Sequence, residues 1–227
     1  MTNDNRIFIG FDFSINKPAA TICFRKSLYF YFWPLNLDSK KMSAYSEAGV
    51  SVTSRGLDSI DKKSKTGNTQ LVLIHTIRST DLANLIINDI DGFIAEHFDS
   101  PEDCELYVAS EGLSYASRGD VTLNLATYKG VLLSKIYEHY GDMLKRLFTY
   151  SPPTMKAVAG CSAKKKASEK KNMIQAFCED LPSSPLTEAI LTGRLTAKTN
   201  FIDGVDDLAD SYWAFRTMII KENFKID

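Results

Sequence analysis

The stretch that most constrains the fold is the first apolar one, residues 6–14 (RIFIGFDFS). Its side chains alternate strictly. Ile7, Ile9, Phe11 and Phe13 fall on one side of an extended chain, and Phe8, Gly10, Asp12 and Ser14 on the other. A period of two is a strand, and this strand carries a carboxylate, Asp12, close to its end. Residues 19–25 (AATICFR) and 28–33 (LYFYFW) read as two more strands, with Lys26-Ser27 as the tight connection between them. Three successive strands joined by short turns predict an antiparallel meander.

After the meander the pattern changes. Residues 38–69 are polar and rich in Ser, Lys and Gly, which suggests a loop or insertion. Residues 70–76 (QLVLIHT) read as a further strand. Residues 79–98 have helical apolar spacing at Leu82, Leu85, Ile86, Ile90, Phe93 and Ile94, with Ser79 or Thr80 as N-cap. Residues 105–111 (ELYVASE) predict a buried strand ending at Gly112, and 123–140 a second amphipathic helix. A short strand at 146–150 stops at Pro152-Pro153. A lysine-rich stretch (156–171), a Pro/Ser break (181–185) and a polar segment precede a final helix over 205–222. Helices between the later strands imply a mixed α/β sheet covered by helices. The 227 residues are expected to form one domain carrying an insertion at about 38–69.

Composition excludes several classes. Cys23, Cys104, Cys161 and Cys178 form no CxxC pair, and there are only three histidines, so a structural zinc site is unsupported and reduced cysteines are the simpler reading. His75, His97 and His139 are given no catalytic role. Neither G-x-x-x-x-G-K-[ST] nor G-x-G-x-x-G occurs, so nucleotide binding by those routes is unsupported. The polar N-terminus and the lack of a long apolar run predict no signal peptide, no membrane span and a cytoplasmic protein.

Four carboxylates stand where a sheet-based site needs them. Asp12 is near the end of the first strand and Glu111 at the end of a later one. Asp207 and Asp210 share a face at the start of the last helix. They are far apart in sequence, so only folding unites them. Gathered carboxylates repel and stay ionised only beside cations. An all-oxygen donor set favours Mg²⁺ or Mn²⁺ over zinc. Two such ions about 4 Å apart activate water for phosphodiester hydrolysis. Plainer roles exist for each residue: Asp12 as a turn residue, Glu111 as a strand end, the helix acids as partners of the dipole. The conjunction favours the metal site.

These residues fall in patterns that resemble a known family. Ile9-Gly-Phe-Asp12-Phe-Ser14 resembles the opening strand of RuvC-like Holliday junction resolvases, crossover junction endodeoxyribonucleases of the RNase H-like superfamily. Ala109-Ser-Glu111-Gly112 resembles their second acidic motif. Tyr150-Ser-Pro-Pro-Thr-Met-Lys156, with Gly160 and Lys166, resembles their P-x-x-x-K…G…K stretch. Asp206-Asp207-Leu-Ala-Asp210-Ser-Tyr resembles their closing motif. The resemblance implies an RNase H-like fold: three antiparallel strands continued by parallel ones, flanked by helices. It implies Asp12, Glu111, Asp207 and Asp210 as catalytic metal ligands for two Mg²⁺ ions, with Mn²⁺ able to substitute. It also implies Lys156 and Lys166 on DNA phosphate, and a homodimer nicking a four-way junction symmetrically. The segment 38–69 is longer than the family's hairpin connection, and Ser162 replaces its second glycine. The length resembles a viral or otherwise divergent member, which would act in the host cytoplasm.

With a net charge of −1, DNA binding must come from uneven placement of charge. Residues 156–171 hold six lysines (156, 164, 165, 166, 170, 171) against one acid, Glu169. This basic patch is the expected DNA contact, with a solvated helix face as the plain alternative. Lys40, Lys41, Arg55, Lys62, Lys63 and Lys65 extend the basic surface into the insertion. Tyr115 could stack on an unpaired base and Arg118 hold a phosphate. Competing readings are a broader branched-DNA or RNA–DNA hybrid nuclease, a non-catalytic DNA-binding protein, and a sugar-kinase or actin-like ATPase. The last would need a second duplicated domain.

Overall fold

The computed structural model describes residues 5–56, 68–112, 120–161, 170–197, 200–201 and 204–226. Strand β1 (Arg6–Asp12) lies between β2 (Ala19–Phe24) and β5 (Glu105–Glu111). The sheet continues outward on one side through β3 (Ser27–Phe32) to β4 (Val50–Val52), and on the other to β6 (Leu144–Tyr150). β1, β2 and β3 are mutually antiparallel, whereas β1, β5 and β6 run parallel. This is the mixed arrangement anticipated from the sequence, three antiparallel strands continued by parallel ones.

The alternation read in β1 is the organising fact of the core. Phe8 packs into one cluster with residues of α1 (Ser39–Glu47), α4 (Pro152–Val158), α5 (Lys170–Asp180), α6 (Pro185–Leu191) and α7 (Val205–Lys221). Ile7, Ile9, Phe11 and Phe13 pack on the opposite face against α2 (Asn68–His97) and α3 (Asp120–Tyr140). The sheet is thus the middle of three layers, and a strand covered on both faces is apolar on both.

Four sequence expectations need correction. Residues 70–76, read as a strand, are the start of α2, a helix of 30 residues. A short β-branched apolar run has no period of its own, and here the helix that follows extends back through it. Ser79 and Thr80 are consequently inside α2 and not at its cap; their hydroxyls donate to the Thr76 carbonyl at 2.9 and 3.0 Å. The segment 38–69 is more than loop: it holds α1, capped where the Asp38 carboxylate accepts from the Lys41 amide, and β4, which pairs parallel to β3. The β2–β3 turn is made by Arg25 and Lys26, both at positive φ, 48° and 66°. Positive φ at both central residues marks the hairpin turn that matches strand twist, though neither residue is the usual Asn or Gly. A further short hairpin, β7 (Thr196–Ala197) with β8 (Asn200–Phe201), precedes α7.

Candidate active site

Parallel strands present their carboxyl ends at one edge, where α/β sheets place their ligands. β1 and β5 are in register up to Phe11 beside Ser110, so Asp12 and Glu111 follow at adjacent strand ends. Side-chain alternation sets their direction. Asp12 shares a face with Phe8, and Glu111 with Tyr107 and Ala109, all of which pack on the α7 side. Both carboxylates therefore stand on the face that α7 covers.

Gly10 brings α7 there. A Cβ on Gly10 would lie 2.2 Å from the Ser211 carbonyl oxygen and 2.4 Å from the Phe215 amide nitrogen. Helix backbone touches strand backbone at this point, and any side chain would force them apart. The buried hydroxyls of Thr21 and Ser211, 2.9 Å apart, add a polar tie between β2 and α7. Asp207 lies one helical turn before Ser211, on the same stripe that crosses β1. The turn into α7 is also fixed: Gly204 caps the helix at φ 107°, with a ring carbon of Phe32 only 2.3 Å from where a Cβ would be. Leu208, Ala209, Tyr212, Trp213, Phe215 and Met218 anchor the rest of α7 in the core, each large apolar side chain contributing about 1.5–3 kcal/mol.

The four carboxylates interact. The Asp12 carboxyl is held well above the usual carboxylate range, first by burial, then by the charges of Asp207, Asp210 and Glu111. A hydrogen bond to Asp207 acts in the same direction. Burial and like charges together disfavour the ionised form of Asp12. Asp12, Glu111, Asp207 and Asp210 all retain partial solvent exposure, so a ligand can reach them.

The donor chemistry fits a hard divalent cation: oxygen only, with several negative charges and no imidazole or thiolate among them. Asp12, Glu111, Asp207 and Asp210 are the residues that would hold it. Among the described residues, no group of three or more His, Cys, Asp or Glu side chains is already drawn together at ligand spacing.

The other anticipated residues are placed less fully. Lys156 is half-buried in the last turn of α4, a helix that packs on α7. Tyr115, Arg118, Lys164, Lys165 and Lys166 lie outside the described residues, as do Lys62, Lys63 and Lys65. Arg55, grouped by sequence with the basic surface of the insertion, points inward instead. It donates to the carbonyls of Trp33 (2.9 Å) and Ile15 (3.0 Å), bracing the loop that leaves β1. A planar guanidinium with several donors suits the role. Lys41 pairs with Asp38 at 3.2 Å.

One residue at this edge was not anticipated. Lys129 of α3 is only 8% exposed and donates to the Glu111 carbonyl oxygen at 2.5 Å. The signal was present: Lys129 is spaced i, i+3, i+7 with Leu132 and Ile136, on a stripe that should be wholly apolar.

No family model and no curated protein matches the sequence. Among solved structures, the chain is similar to the Thermus thermophilus RuvC structure at 13% identity and a TM-score of 0.43, over 96% of this chain and 95% of that one. The fold described above stands on strand order and register, independently of that likeness.

Proposed function

We propose that this chain is a metal-dependent endonuclease that resolves four-way DNA junctions by paired, symmetric nicks. The observation that carries the reading is the convergence of Asp12, Glu111, Asp207 and Asp210 into one interacting acidic group at the carboxyl edge of the sheet. Gathered carboxylates favour bound cations, and the sequence motifs around the four acids resemble those of junction resolvases. Two divalent ions, Mg²⁺ or Mn²⁺, would supply activation of water and stabilisation of the leaving oxygen.

The chain's own residues do the rest. Asp12 and Glu111, fixed on neighbouring strands, and Asp207 and Asp210, fixed on α7, hold the ligand oxygens in place. Lys156, with Lys164, Lys165 and Lys166, holds the DNA backbone by charge, and Arg118 and Tyr115 engage the branch point. The products are a 5′-phosphate and a 3′-hydroxyl. The chain acts as one nuclease domain with 38–69 as an insertion, and two copies place two sites on opposite strands of the junction.

The test is cleavage of a labelled synthetic four-way junction beside plain duplex and an RNA–DNA hybrid. Each is run with Mg²⁺, with EDTA, and with Asp12→Asn. Paired symmetric nicks in the junction alone, lost with EDTA and in the variant, are the expected result. Hybrid cutting with the same dependence would keep the metal site and change the substrate. Junction binding without cutting under any condition would reject catalysis.

A further inference from the structure

α3 lies on the face of the sheet opposite α7, among Ile7, Ile9, Phe11 and Phe13. A lysine there is costly. Its ammonium loses water, and its neighbours Tyr128, Leu132 and Ile136 are buried residues of an apolar cluster. Lys129 ends at the carboxyl edge of the sheet, beside Phe13 of that cluster. Its Nζ donates to the backbone carbonyl of Glu111 at 2.5 Å and lies 5.9 Å from the centre of the Phe13 ring. The second contact is within the range of a cation–π attraction. Both contacts belong to residues that carry or adjoin a carboxylate: Glu111 itself, and Phe13, which follows Asp12.

We propose that Lys129 is a positioning residue for the acidic site, clamping the carboxyl ends of β1 and β5 so that Asp12 and Glu111 keep their places at adjacent strand ends. The proposal rests on the metal-site reading given above and adds to it a residue from the opposite layer. The ammonium ties that layer to the end of β5, where Glu111 stands. Its hydrogen bond is to the backbone of Glu111, so it holds the strand end directly. Residues that orient metal ligands without touching the metal change affinity by about ten- to a hundredfold when removed.

The experiment uses the full chain and Mn²⁺ as probe, with Lys129→Met and Lys129→Arg. Methionine keeps the length and packing of the stem while removing the donor; arginine keeps donor and charge. Melting, Mn²⁺ affinity by calorimetry, and amide hydrogen exchange at residues 12–13 and 111–112 are measured. In Lys129→Met we expect melting close to the unsubstituted chain, Mn²⁺ binding about tenfold weaker, and faster exchange at those amides. Lys129→Arg is expected to recover most of the affinity. Should the methionine variant not fold, Lys129→Gln, which retains a polar head without charge, takes its place. Mn²⁺ binding that is unchanged or tighter in a folded variant overturns the proposal, whatever the exchange shows, because it would leave Lys129 a merely structural or competing charge. If the unsubstituted chain binds no Mn²⁺, the metal-site reading fails separately. Exchange then decides the clamp alone, and unchanged exchange overturns it.

Discussion

At Asp12, burial and three neighbouring carboxylates favour the protonated form in the folded state. The sign of the consequence follows from linkage. A carboxyl whose folded pKa is raised binds its proton more tightly folded than unfolded. The folded state therefore loses stability as pH rises from the ordinary aspartate value, about 3.9, through the raised one. The metal-free chain is thus expected to melt at lower temperature at neutral pH than in mild acid, as far as this group contributes. Asp12→Asn removes the buried charge. It is expected to raise the metal-free melting temperature at neutral pH, by about 2–4 °C for each kcal/mol relieved, and to flatten the pH dependence. A scanning-calorimetry series with an identical pH slope in both proteins would contradict this account. The same variant should cut no junction, so stability and activity move in opposite directions. The acids were legible in the sequence because their positions on strand ends and a helix start could be read from local pattern. Lys129 was not, because its role depends on a carbonyl in another layer.

Among the elements, the contact between β1 and α7 decides whether Asp207 meets Asp12. Gly10→Ala would place a methyl 2.2 Å from the Ser211 carbonyl, and neither backbone can yield cheaply. Overpacking of this kind costs about 1–3 kcal/mol, and the displacement should weaken Mn²⁺ binding as well as lower the melting temperature. Gly92→Ala is the matched control. Gly92 lies in α2 with nothing within 4 Å of its Cβ position, so alanine should stabilise by about 0.5–1 kcal/mol. Equal effects of the two substitutions in chemical denaturation would contradict the packing assigned to Gly10. Strand β1 and helix α7 were read from sequence almost to their ends, since both carry strong periods. Residues 70–76 were misread because a run of seven residues dominated by Leu, Val and Ile fits either state, and only the continuation into α2 settles the matter. β4 was missed for a related reason: three residues carry no measurable period, and parallel pairing to β3 is a long-range fact.

Over the whole molecule, a net charge of −1 means that affinity for a polyanion must come from local concentration of lysine. Each phosphate contact contributes about −0.9 to the slope of log affinity against log salt on duplex DNA. Lys156→Ala is expected to reduce the magnitude of that slope by about 0.9 for junction binding, with Mn²⁺ affinity unaltered. A slope equal to that of the unsubstituted chain would remove Lys156 from the DNA interface. The sheet order, the two core layers and the acidic edge together support the proposal that four remote carboxylates gather here to hold divalent cations. The direct measurement is an anomalous-scattering map from crystals of the full chain grown with Mn²⁺. The account predicts peaks among Asp12, Glu111, Asp207 and Asp210, with carboxylate oxygens at roughly 2.0–2.2 Å, close to the spacing of comparable divalent ions. Mn²⁺ peaks elsewhere in the molecule, with these four carboxylates bearing none, would contradict it.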